Sequence, residues 1–162
     1  MASSKPFISP SFSYETLEET LDIKPKGAEL CIGIPKENSF NENRIALTPD
    51  AVGVMIANGH QVVVETKAGD GASYTDKDYS EAGAKIAYDK KEVFECDIIV
   101  KSAPVSEMEC ELLKPNQFII SPIHMAVMKR EILQKMMDKK ITALSFENLK
   151  DASGHNPIVR SM

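Results

Sequence analysis

From residue 30 onward, short apolar runs alternate with capped, amphipathic segments, and this alternation most restricts the folds open to the chain. The runs at 31–34, 61–65, 85–88, 98–101, 117–121 and 141–146 read as strands. Helical patterns fill the gaps at 49–58, 76–82, 90–94, 106–113 and 129–138. Thr48 followed by Pro49 is a helix start, and Gly59 a stop. Thr75 caps the next helix, which ends at Gly83. Ser106 with Glu109 forms a capping box. Short, continuously apolar strands separated by helices imply a parallel sheet covered on both faces, with right-handed crossovers. The expected fold is therefore α/β: a doubly wound, Rossmann-like parallel sheet of five to six strands with helices on both faces.

A chain of 162 residues fits one domain with a sizeable core. The net charge of −5 argues against nucleic acid as a partner. No segment approaches the length of a membrane span, and the N-terminus lacks the apolar core of a signal peptide. Cys31, Cys96 and Cys110 have no metal-binding spacing. Their odd number suggests reduced thiols in a cytoplasmic compartment. Cys31 and Cys96 fit the core, and Cys110 a partly exposed helix position. Met125, Met128, Met136 and Met137 cluster near one helix and are expected to pack. Residues 1–29 read as an extension with a short amphipathic helix at 14–21, presenting Tyr14, Leu17 and Leu21 on one face.

In open α/β sheets, ligands bind outside the carboxyl ends of strands. Three residues fall there. Arg44 lies in the polar loop between the first strand and the first helix. Its forked, permanent charge suits a carboxylate or phosphate; a solvated surface arginine is the alternative. Lys101 ends the run Ile98-Ile99-Val100, so it either binds a substrate oxygen or snorkels to the surface. His124 follows Ile119-Ile120-Ser121-Pro122-Ile123 and is either a proton-transfer group or a satisfied structural histidine. Glu37 reads as a surface carboxylate, with orientation of Arg44 the alternative. Residues 106–111 read as a solvated acidic face, and His60 and His155 as surface residues.

Particular wording adds to this pattern. Gly33-Ile34-Pro35-Lys36-Glu37, followed by Asn43-Arg44-Ile45-Ala46-Leu47-Thr48-Pro49, resembles the opening of the alanine dehydrogenase and pyridine nucleotide transhydrogenase alpha-subunit family. The resemblance continues through Asn58-Gly59-His60, Ala68-Gly69-Asp70-Gly71-Ala72 and Asp97-Ile98-Ile99-Val100-Lys101, and covers roughly residues 30–162. It implies an N-terminal, substrate-side domain of an oxidoreductase that converts L-alanine to pyruvate and ammonia with NAD, or NADP, as hydride acceptor. It implies that Arg44 holds the substrate carboxylate and that His124, in Ile-His-Met-Ala, moves a proton. Lys101 would assist at the carbonyl, although Ala103 stands where alanine dehydrogenases carry a second lysine.

No Gly-x-Gly-x-x-Gly occurs, and Gly69-Asp70-Gly71 is a two-glycine turn. The resemblance therefore places NAD on a second domain. The chain is expected to be a fragment ending before it, inactive alone, from a parent that is a homo-oligomer. A transhydrogenase alpha subunit, passing hydride between NAD and NADP, is the first alternative; a non-catalytic binding or assembly module is the second. No metal site is expected.

Overall fold

The computed structural model describes residues 29–38, 42–156 and 158. The expected helix at 14–21 lies outside them. Six strands form one sheet: β1 (Cys31–Ile34), β2 (Gln61–Glu65), β3 (Lys85–Ala87), β4 (Ile98–Val100), β5 (Phe118–Ile120) and β6 (Thr142–Leu144). Their order is β3-β2-β1-β4-β5-β6, and every pairing is parallel. The order reverses between β1 and β4, which makes the crevice outside their carboxyl ends the place to look for a ligand.

Five α-helices connect the strands: α1 (Pro49–Ala57), α2 (Asp76–Glu81), α3 (Lys90–Phe94), α4 (Glu107–Leu112) and α5 (Arg130–Asp138). Their starts follow the sequence signals. Thr48 Oγ1 accepts from the Ala51 N–H, and Pro49 opens α1. Thr75 with Asp78, and Ser106 with Glu109, close complete capping boxes. Gly59 and Gly83 end α1 and α2 at φ of 88° and 96°, a region that costs glycine little.

The sheet's period of two divides the core. Ile32, Ile34, Val62 and Val64 face Val52 of α1 and Tyr79 of α2. Val63, Ile99 and Ile119 face the opposite side, with Val93 and Phe94 of α3, Cys110 of α4, and Ile132 and Met136 of α5. Helices therefore cover both faces. Gly33 permits close approach of α3, because a Cβ there would meet the Val93 carbonyl oxygen. The outer strands are shorter than the apolar runs suggested. All three residues of β6 are exposed.

Two core expectations need correction. Cys31 and Cys96 are joined in a disulfide, with Cα atoms 4.7 Å apart, rather than standing as reduced thiols. Parallel neighbours β1 and β4 bring the two chain positions within bridging distance. Cys110 is free but wholly buried, beneath α5, and burial pushes its thiol up. Of the methionines, Met136 is core and Met128 packs against it, whereas Met125 and Met137 are exposed.

Candidate active site

Arg44, Lys101 and His124 follow β1, β4 and β5, three adjacent strands, so all three sit along the carboxyl edge of the sheet. Their immediate surroundings differ. Arg44 and Lys101 line an apolar cavity of about 640 Å³, walled by Ile32, Val100 and Ile120. His124 lines a separate cavity of about 400 Å³, with Val105, Ile123 and Val127. Two of the three thus share a cavity.

The Arg44 side chain is 61% exposed. Its Nε donates to Glu42 Oε1 at 2.8 Å and its Nη2 to Glu42 Oε2 at 2.6 Å. The Arg44 backbone N–H donates to Glu42 Oε1 as well, at 3.0 Å. This is bidentate capture of a carboxylate, the chemistry a guanidinium fork is shaped for. Hydrogen bonding from Arg44 holds the Glu42 carboxyl below the usual carboxylate range. The same contacts raise Arg44 further above its ordinary value.

His124 occupies the left-handed region at φ 45°, a position with a steric cost for a residue bearing a Cβ. Glu147, in the turn after β6, holds it there. The His124 N–H donates to Glu147 Oε1 at 2.9 Å, and Nδ1 lies 2.7 Å from Glu147 Oε2. The backbone N–H of His124, first among several contacts, holds the Glu147 carboxyl below its ordinary range. A carboxylate on Nδ1 selects the tautomer with the Nδ1 proton and leaves the lone pair on Nε2. The imidazole remains 52% exposed.

Lys101 does not lie in solvent. It is 2% exposed, and its ammonium is 2.7 Å from Glu37 Oε2 and 3.0 Å from Glu109 Oε1. Lys90 Nζ continues the network to Glu109 Oε1 at 3.1 Å and to Glu65 Oε2 at 3.7 Å. Glu65 in turn accepts from the Lys36 N–H. Burial pushes the Glu109 carboxyl up, but Lys101, the Ser106 N–H and Lys90 together pull it further down, so the net direction is downward.

Three sequence readings fail here. Glu37 is no surface carboxylate: its side chain is 4% exposed. Glu109, assigned to a solvated acidic face, is 2% exposed. Its place in the capping box was the available clue to its fixed rotamer. Glu147 gave no local signal. His60 lines the apolar cavity, and its buried Nδ1 has no partner among the described residues, so it is more than a surface residue. His155 is exposed, in a turn with Asp151.

Gly69 and Gly71, of the two-glycine turn, are tightly packed within the domain. A Cβ on Gly69 would come within 2.7 Å of the Tyr74 carbonyl oxygen, and one on Gly71 within 2.9 Å of Asn43 Cα. They serve packing inside the domain, not approach to a pyrophosphate. Among the described residues, no group of acidic, histidine and cysteine side chains is placed to hold a metal ion. No helix among them is long and apolar enough to cross a membrane.

A doubly wound parallel domain thus carries a guanidinium and a carboxylate-clamped imidazole along the strand ends where open α/β sheets bind ligands. Residues 33–162 match the family model "alanine dehydrogenase/PNT, N-terminal domain", and the chain belongs to that family. It is 34% identical over 131 residues to alanine dehydrogenase of Staphylococcus epidermidis, covering 81% of this chain and 35% of that protein. It is 37% identical over 134 residues to that of Methanococcus maripaludis, covering 82% and 36%. Among solved structures, an L-alanine dehydrogenase superposes with a TM-score of 0.77 at 31% identity, over 80% of this chain and 36% of that one. A transhydrogenase from Sinorhizobium meliloti gives 0.64 at 26% identity, over 72% and 35%. The chain thus spans about a third of the length of these relatives.

Proposed function

We propose that this chain is the substrate-side domain of an alanine dehydrogenase, which reversibly converts L-alanine to pyruvate and ammonia. Arg44 binds the substrate carboxylate in the bidentate mode it now uses on Glu42. His124, held by Glu147, moves the proton on the substrate oxygen or nitrogen through Nε2. Lys101 serves as buried countercharge at the rim and not as a direct substrate ligand. The observation that carries this reading is His124 itself: a strained backbone and a carboxylate clamp hold a half-exposed imidazole at a strand's carboxyl end.

The nicotinamide cofactor, NAD with NADP as the alternative, is assigned to sequence outside the described residues, because the family resemblance puts its fingerprint there and Gly69 and Gly71 are packed against their own domain. The isolated chain is accordingly inactive and does not bind NAD tightly. The domain begins near residue 30, with residues 1–29 an extension. The full-length protein is a cytoplasmic homo-oligomer, and this chain binds no nucleic acid and contributes no membrane segment.

A transhydrogenase alpha subunit is the second reading, favoured by Lys101-Ser102-Ala103-Pro104, where alanine replaces the second lysine. The separation of His124 from the Arg44 cavity favours the third, a non-catalytic module. Spectrophotometry of the full-length gene product decides among them. Alanine-dependent NADH formation supports the dehydrogenase. Hydride exchange between dinucleotides without an amino acid supports the transhydrogenase. Neither activity leaves the module.

A further inference from the structure

We propose that Glu37 is a positioning residue for substrate binding: it docks the loop after β4 onto the loop that carries Arg44, and thereby sets the guanidinium in place. The inference rests on the dehydrogenase reading above. Three donors converge on this one carboxylate. Oε1 accepts from the backbone N–H groups of Ser102 at 2.6 Å and Ala103 at 3.2 Å, and Oε2 from Lys101 Nζ at 2.7 Å. Two successive backbone amides on one oxygen form a small anion-binding concavity, here filled from within the protein.

The two loops joined in this way are those of adjacent strands at the point where sheet order reverses. Glu37 and Arg44 belong to the same β1–α1 connection and line the same polar pocket of about 250 Å³, together with Lys36, Asn43 and Lys67. Lys101 and Ser102, on the other side of Glu37, line the apolar cavity that Arg44 also reaches. Glu37 thus joins the connection that carries Arg44 to two residues that line the cavity, Lys101 and Ser102. It touches no substrate itself. A buried carboxylate is costly unless its lone pairs are filled, and these are, so its geometry is closely determined.

The test is steady-state kinetics of the full-length gene product with Glu37→Gln, which keeps the shape and removes the charge. KM for pyruvate should rise about tenfold or more while kcat stays within about twofold, the signature of lost binding and not lost chemistry. An unchanged KM in the folded variant overturns the proposal. So does a proportional loss of rate that tracks only the fraction of protein unfolded. Should Glu37→Gln not fold, Glu37→Asp keeps the countercharge for Lys101 but shortens the reach, and the same KM comparison applies. A second readout needs no activity, so it separates failure of this inference from failure of the dehydrogenase reading. Solvent exchange of the Arg44 Nε–H, followed by NMR, should accelerate in the Glu37 variant, and an unchanged rate overturns the proposal even if the wild type oxidises no alanine.

Discussion

The Lys101 ammonium lies 2.7 Å from Glu37 Oε2, with 1% and 4% of the two side chains exposed. A charged pair this dry holds together because both groups are otherwise satisfied: Lys101 by Glu109, and Glu37 by two backbone amides. It ties the β1 loop to the β4 loop across 64 residues of sequence.

Removing one member should therefore be severe. Lys101→Ala leaves two buried carboxylates facing each other and should destabilise the domain by about 3–5 kcal/mol, the usual cost of breaking a buried ion pair. Urea unfolding measures it. The conservative-looking Lys85→Ala, at an exposed pair, should change stability by less than about 1 kcal/mol.

The network was not legible in the sequence, and the reason is physical. Strands and helices announce themselves locally, through apolar period and caps such as Thr48-Pro49 and Ser106 with Glu109. The position of Arg44 and His124 on the rim is legible for the same reason, since each follows its own strand. Glu37 and Glu109 look like surface acids because nothing nearby in sequence reveals that Lys101 will be folded over them. The Cys31–Cys96 contact, separated by 65 residues, and the reach of Glu147 back to His124 are likewise products of sheet order.

Acid should unfold the domain partly through Glu109. Its carboxyl is held below the ordinary value of 4.5, chiefly by Lys101 against the opposing effect of burial. A depressed carboxyl contributes stability that is fully present above its unfolded pKa and is lost as pH falls through the folded one. Unfolding free energy of the wild type should thus decline as pH drops below about 4.5. In Glu109→Gln, urea titrations across pH 3–6 should show a lower plateau and a shallower decline.

Glu147 should matter to turnover without touching substrate. Glu147→Gln removes the carboxylate that selects the His124 tautomer and fixes the ring. In the full-length enzyme, kcat should fall by about tenfold with KM for pyruvate little changed, which steady-state kinetics measures.

Glu42 occupies the fork that substrate would use. Glu42→Gln weakens that internal competitor, so KM for pyruvate should fall, by about two- to fivefold. Arg44 variants should abolish this response, and a Glu42→Gln/Arg44→Ala double variant should match Arg44→Ala alone.

Steady-state kinetics of Arg44→Ala and His124→Ala in the full-length gene product put the division of labour at this rim to the most direct test. Arg44→Ala should raise KM for pyruvate by one to two orders of magnitude, about 1.5–3 kcal/mol for a charge-assisted contact, with kcat little changed. His124→Ala should lower kcat by roughly 100-fold or more, with KM little changed. Turnover left intact by His124→Ala would make the strained histidine a structural residue and contradict the assignment of proton transfer to this domain.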